Sequence, residues 1–200
     1  MTKLVFELDD AESRDRYKLL TGLVVPRPIG WIGTRRADGT HNLAPFSFFN
    51  VVSTNPPVVL FSAGSHRDRR KDSATLAEER GEFTVNIVSE EVVHAMSVTS
   101  GSFAADDDEF AIAGLTANDG ARVDAPIVAE SPANLECTVR EVIELGERTK
   151  LILGDVVVIH VEEGVLDGTR VDNDVLKAVG RMAGATYINT RDRFDLERPD

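Results

Sequence analysis

One cysteine, one tryptophan and four histidines are spread over 200 residues. A lone thiol closes no intrachain disulfide, builds no cysteine zinc site and supplies no Cys-x-x-Cys redox pair. Cys137 sits in Leu135-Glu136-Cys137-Thr138-Val139, where strand alternation sets it on the face of Leu135 and Val139; it reads as a packed core thiol. His41, His66, His94 and His160 offer no short-spaced ligand pair, which argues against a metal centre. His160, in the apolar run 156–161, reads as a hydrogen-bonded strand residue. Basic side chains are the minority: 22 Lys and Arg against 34 Asp and Glu give a net charge of −12. That balance disfavours broad adhesion to nucleic acid or anionic membrane. A small anion is still compatible with it, because physiological salt screens charges beyond about 8 Å and a local basic pocket acts on its own. No run approaches the roughly 18 apolar residues that span a bilayer, and residues 1–10 lack the basic start and apolar stretch of a signal peptide, so the reading is cytoplasmic. No G-x-G-x-x-G, phosphate-loop or G-x-S-x-G pattern occurs, so neither a Rossmann sheet nor a serine hydrolase is supported.

What is present is a globular composition, 42% apolar and 28% charged, in a chain of one-domain length that buries about 70% of its unfolded surface. Short strands dominate. They are expected at 24–34, followed by the Asp38-Gly39 turn, at Val51-Val52, 57–61, 83–87, 135–142, 151–161 and 185–189. Four helices are expected: residues 9–20 stopping at Gly22, one from Thr75 to Gly81 with a capping-box start, one opened by Ser89-Glu90-Glu91, and one at 172–179. Asp106-Asp107-Asp108-Glu109 reads as a solvated loop, since calcium would require interleaved ligands and a glycine. Many strands and few helices, without βαβ alternation, predict a mainly β fold, an antiparallel barrel with helical insertions.

Two segments carry chemistry. In His66-Arg67-Asp68-Arg69-Arg70-Lys71-Asp72-Ser73, four basic side chains fall within five positions of an acidic protein. The segment lies between an apolar strand and a helix start, where free backbone N–H groups favour an anion such as phosphate. Asn42-Leu43-Ala44-Pro45-Phe46-Ser47-Phe48-Phe49-Asn50 combines three aromatics with small polar groups, so it either fills the core or lines a flat conjugated ligand. Alternation would put Phe46 and Phe48 on one face and Phe49 on the other.

In chain order these pieces resemble the flavin reductase-like family of FMN-binding split-barrel flavoproteins. The matching residues are Val25-Pro26-Arg27-Pro28-Ile29-Gly30-Trp31-Ile32-Gly33-Thr34, the 42–50 segment, Pro56-Pro57, Lys71-Asp72-Ser73, Gly81-Glu82-Phe83-Thr84-Val85-Asn86, Leu135-Glu136-Cys137, Gly154-Asp155-Val156, and a tail from Gly180-Arg181 to Pro199. The resemblance implies one FMN-binding domain over 1–200, with its core at about 17–199, built as a six-stranded antiparallel Greek-key split barrel with a few short helices. It implies a homodimer with FMN near the subunit interface. Ser47 and Phe48 match positions lining the isoalloxazine; Ser62, Lys71, Asp72 and Ser73 match its phosphate end; Arg181 matches a late arginine near the cofactor. The implied activity is NAD(P)H-dependent flavin reduction, with hydride passing from nicotinamide to flavin N5 and on to free flavin or another acceptor, and with a monooxygenase as a possible partner. The cofactor carries that chemistry, so no catalytic side chain is assigned. Many short-chain members have Gly-Asp-His where this chain has Gly146-Glu147-Arg148-Thr149. That departure leaves an alternative open, an electron carrier or flavin store without its own nicotinamide site.

Overall fold

The computed structural model describes residues 1–64, 72–104, 106–197 and 199, and at Asp72 the backbone alone. Seven strands form the main sheet: β1 (Gly30–Arg35), β2 (His41–Phe46), β3 (Phe49–Thr54), β4 (Pro57–Gly64), β5 (Glu82–Ile87), β6 (Ala133–Leu145) and β7 (Thr149–Val161). They run in the order β2-β1-β5-β6-β7-β4-β3, and every pairing is antiparallel. The mainly β architecture follows the sequence reading. The sheet has seven strands rather than six, with β3 pairing along β4 as far as Thr54 opposite Pro57.

The two edge strands, β2 and β3, are consecutive in the chain, and only Ser47 and Phe48 separate them. Three peptide links reach no more than about 11 Å. The sheet therefore curls until its two edges come together at this corner, and those two residues form the seam. Inside, Phe61 of β4 is fully buried between Phe46 and Phe83, with ring centroids 5.0 and 5.2 Å apart. Ile32, Val59, Val85, Cys137 and Ile152 complete this core, and Ala74 and Ala77 of helix α2 (Asp72–Arg80) cover it. Each large side chain sealed in this way contributes about 1.5–3 kcal/mol.

A second core lies outside the barrel. Trp31, Leu43, Met96, Phe110 and Val128 join the sheet to helices α3 (Val93–Val98) and α4 (Glu109–Ala113). The Trp31 indole N–H donates to Thr99 Oγ1 at 2.8 Å, which satisfies the one polar atom of a ring with no exposure. Helix α1 (Ser13–Leu23) precedes the sheet and α5 (Asn173–Leu176) follows it. A small three-stranded sheet joins Arg27–Pro28, Val179–Arg181 and Tyr187–Asn189. Among the described residues no helix is long and apolar enough to cross a membrane.

Several local expectations need correction. Helix α2 begins at Asp72, so Thr75 lies inside it and does not cap its start, and the helix expected at 172–179 covers only Asn173–Leu176, with Val179 opening a strand. Helix α1 starts at Ser13 and runs through Gly22 to Leu23; the turn is completed because the Val24 N–H donates to Leu20 O at 3.0 Å. The 24–34 segment splits at Ile29 into two strands that belong to different sheets. The acidic run is not a solvated loop. Asp108 caps α4 by accepting the Phe110 and Ala111 N–H groups at 2.9 and 3.1 Å, and Glu109 is buried. Phe46 and Phe49, not Phe46 and Phe48, pack on the barrel core, because the strand is interrupted at Ser47-Phe48 and alternation restarts beyond it.

Candidate functional site

The break that ends β2 turns Ser47 and Phe48 out of the sheet ladder, so the Phe48 ring stands 47% exposed at the seam. Its carbonyl accepts the Ser62 N–H at 2.8 Å, which ties the seam to the late part of β4. Ser47, Phe48 and Ser62 are thus neighbours although 14 positions separate the last two in the chain. Lys71 lies outside the described residues, as does the Asp72 side chain. Ser73 stands in the first turn of α2 with its hydroxyl directed inward, donating to Asn42 Oδ1 at 2.7 Å. Asn42 is a hub. Its Oδ1 also accepts from Thr34 Oγ1 at 3.1 Å, and its Nδ2 donates to Glu109 Oε1 at 2.9 Å. Burial pushes the Glu109 carboxyl up from its ordinary value, against the pull of the Arg36 charge and of the Leu43 and Asn42 hydrogen bonds. This network anchors the start of α2 to β2, the strand that leads into the seam.

On the other side of Ser47 lies a cleft of about 200 Å³ lined by residues that include Tyr17, Arg27, Ser47, Arg181 and Tyr187. Arg27 is the residue that sequence reasoning missed. It is 8% exposed, and its guanidinium donates to the carbonyls of Thr21 (2.6 Å), Val24 (2.8 Å) and Met182 (3.0 Å) and to Ser47 Oγ (3.4 Å). Its carbon lies 5.9 Å from the centre of the Phe48 ring. Arg27 was visible only as one letter of a longer motif, and nothing in its neighbourhood signalled burial. Arg181 donates to Tyr187 Oη and Gly184 O and lies over the Tyr187 ring, 4.5 Å from its centre.

The structure therefore brings Ser47, Phe48 and Ser62 together, sets Arg181 in the cleft that Ser47 lines, and places Ser73 at the head of α2. A half-exposed aromatic ring, a hydroxyl, two guanidinium groups and a lining that among the described residues holds no carboxylate suit a planar, anionic ligand.

His160 and Glu136 stand away from this site, on strands β7 and β6. His160 Nε2 lies 2.5 Å from Glu136 Oε1, as expected for a hydrogen-bonded strand residue. The Cys137 thiol is fully buried, and burial, aided by the charges of Asp155 and Glu136, pushes its pKa upward.

Comparison with known proteins agrees with this architecture. The family model for the flavin reductase like domain matches residues 22–188. An uncharacterized protein of Deinococcus radiodurans is 42% identical over 99% of this chain and 91% of its own length. Among solved structures, nitrilotriacetate monooxygenase component B from Bacillus cereus superposes with a TM-score of 0.95 at 32% identity, covering 98% of this chain and 100% of that one. The 2-nitrobenzoate 2-nitroreductase NbaA of Pseudomonas fluorescens superposes with a TM-score of 0.91 at 27% identity, covering 98% and 96%. The chain belongs to the flavin reductase-like domain family, with the split-barrel fold and a flavin-related redox role.

Proposed function

We propose that this chain is an FMN-binding flavoprotein, one cofactor domain along its length, acting as an NAD(P)H-dependent flavin oxidoreductase. The observation that carries the reading is the convergence of Ser47, Phe48 and Ser62 at the barrel seam, beside an arginine-lined cleft. FMN, when bound, supplies the hydride and electron transfer. The protein's part is to hold and orient it. The Phe48 ring offers a flat wall, and the Ser47 hydroxyl, fixed by Arg27, meets the polar edge of the ring system. Ser62, Lys71, Asp72 and the backbone N–H groups around Ser73 at the head of α2 serve the phosphate. Arg181 flanks the ring system from the cleft. The protein acts in the cytoplasm as a homodimer, and its electrons go to free flavin or another acceptor; the likeness to a monooxygenase component supports a monooxygenase as partner.

The purified full-length protein is expected to be yellow and to release about one FMN per chain, and colourless protein that takes up no added FMN refutes the reading. Lys71→Ala is expected to weaken FMN by about tenfold or more, the loss of a charge-assisted hydrogen bond of about 1.5–3 kcal/mol. Unchanged affinity, measured by fluorescence quenching, removes Lys71 from the phosphate site.

A second reading rests on the β6–β7 hairpin, whose turn presents exposed Glu147 and Arg148 and no histidine. On that reading the chain carries electrons without a nicotinamide site of its own. Stopped-flow mixing with NADH and NADPH decides: bleaching of bound flavin within seconds supports the reductase, and its absence supports the carrier.

A further inference from the structure

Arg27 and Arg181 are direct partners in the register of the small antiparallel sheet. Like charges set opposite each other across a strand pair repel. Among the described residues neither forms an ion pair, although the chain carries 34 carboxylates. Both line the cleft beside Ser47, and among the described residues no Asp or Glu shares that lining. Arg27 is more than nine-tenths buried. Among the described residues its five N–H donors meet four acceptors, two of them on Nη1, one on Nη2 and one on Nε, so Nη2 has a further donor to offer. Arg181 has two of its five engaged. A pair of guanidinium groups with no carboxylate beside it among the described residues, and with N–H donors to spare, is complementary to a planar oxyanion, which it grips through paired N–H donors.

We propose that this cleft binds the carboxylate of a small organic acid, the second substrate of the flavin site. Its place in the reaction rests on the flavin reading above; its chemistry rests on the arginine pair alone. Tyr187, against the Arg181 guanidinium, and Tyr17, which lines the same cleft, suit an aromatic ring attached to the carboxylate. The volume, about 200 Å³, favours one small molecule over a dinucleotide. The other source of an oxyanion is the phosphate of a nicotinamide cofactor, and the experiment separates the two.

Benzoate is titrated calorimetrically into the flavin-free full-length protein, and again after FMN has been added and its uptake followed by fluorescence quenching. Benzoate is expected to bind in the flavin-free protein, and neutral benzamide at least tenfold more weakly, roughly the loss of one charge-assisted contact. Arg181→Gln is expected to weaken benzoate by about tenfold, with Arg181→Lys between it and wild type. Benzamide binding as tightly as benzoate in the wild-type protein overturns the proposal whatever the variants do. ADP displacing benzoate and binding more tightly also overturns it, in favour of a dinucleotide phosphate. Benzoate binding in a protein that takes up no FMN upholds the carboxylate cleft and refutes the flavin reading, so the two failures are distinct.

Discussion

Glu136 has no contact with solvent, and its carboxylate still stays charged. Burial, the largest single influence, pushes its pKa upward; the hydrogen bond from His160 and those from the N–H groups of Ala121, Arg122 and Val123 outweigh it and hold the group down to about 2. The three amides lie 2.6, 2.7 and 2.9 Å away. An ionised carboxylate only accepts, so the His160 proton in this contact is on Nε2. The folded value lies below the ordinary carboxylate value of 4.5, so the stabilisation is whole above that pH and is lost as acid carries the solution toward 2. Urea denaturation is expected to show stability falling between pH 5 and pH 3. Glu136→Gln turns an NH₂ group against backbone donors and is expected to cost about 2–4 kcal/mol at pH 6, with a flatter acid dependence than wild type. Parallel pH profiles for the two proteins would show that the charge of Glu136 is not what pins the 121–123 segment to β6. Cys137, next to it in β6 but facing the opposite way, is expected to resist thiol reagents in the native state and to react fully on unfolding.

At the scale of elements, β5 shows what a sequence reveals and what it withholds. Phe83 and Val85 alternate into the barrel core as the pattern predicts. The other face, Thr84 and Asn86, looks solvent-exposed in sequence and is fully buried. The later segment that covers this face satisfies it: Thr84 Oγ1 donates to Pro126 O at 2.6 Å, and Asn86 Oδ1 accepts from Val128 N and Asn134 Nδ2 at 2.8 and 2.7 Å. Those partners lie more than 40 positions away, beyond any window in which periodicity is read. The same limit hid Arg27, whose partners include Met182, and Glu109, which is held by Asn42. Most strands of the main sheet, the stop of α2 near Gly81 and the core thiol were legible because each depends on residues a few places apart; strand β2 and the start of α2 at Asp72 were not. Gly154 belongs to the hidden class. It sits at a register shift between β6 and β7, and a Cβ there would lie 2.4 Å from Phe83 Cζ and 2.6 Å from its Cε1. Phe83 is fixed against Phe61 and cannot retreat freely. Gly154→Ala is expected to destabilise the fold by about 1–3 kcal/mol, read as a lower denaturation midpoint; an unchanged midpoint would mean that the barrel interior yields more than its packing suggests.

For the whole molecule, a net charge of −12 coexists with a cleft that bears two arginines and, among the described residues, no carboxylate. Repulsion among surface acids keeps such a protein soluble and does not reach far into the cleft, since screening confines each charge to its surroundings. A ligand that binds only the folded form raises stability by mass action, about 2.7 kcal/mol at a hundredfold excess over Kd. FMN at that level is expected to raise the melting temperature by roughly 5–10 °C for a chain of this length. A melting temperature indifferent to FMN would argue against a folded-state flavin site. The seam has a mechanical consequence of its own. Ser47 and Phe48 fasten a hoop whose circumference is set by seven hydrogen-bonded strands, and a clasp of two residues has no slack. The wall that meets a ligand there cannot recede to admit a bulkier one without unzipping an edge. The amide of Ser62, hooked onto the Phe48 carbonyl, should then exchange its hydrogen more slowly whenever the clasp is occupied.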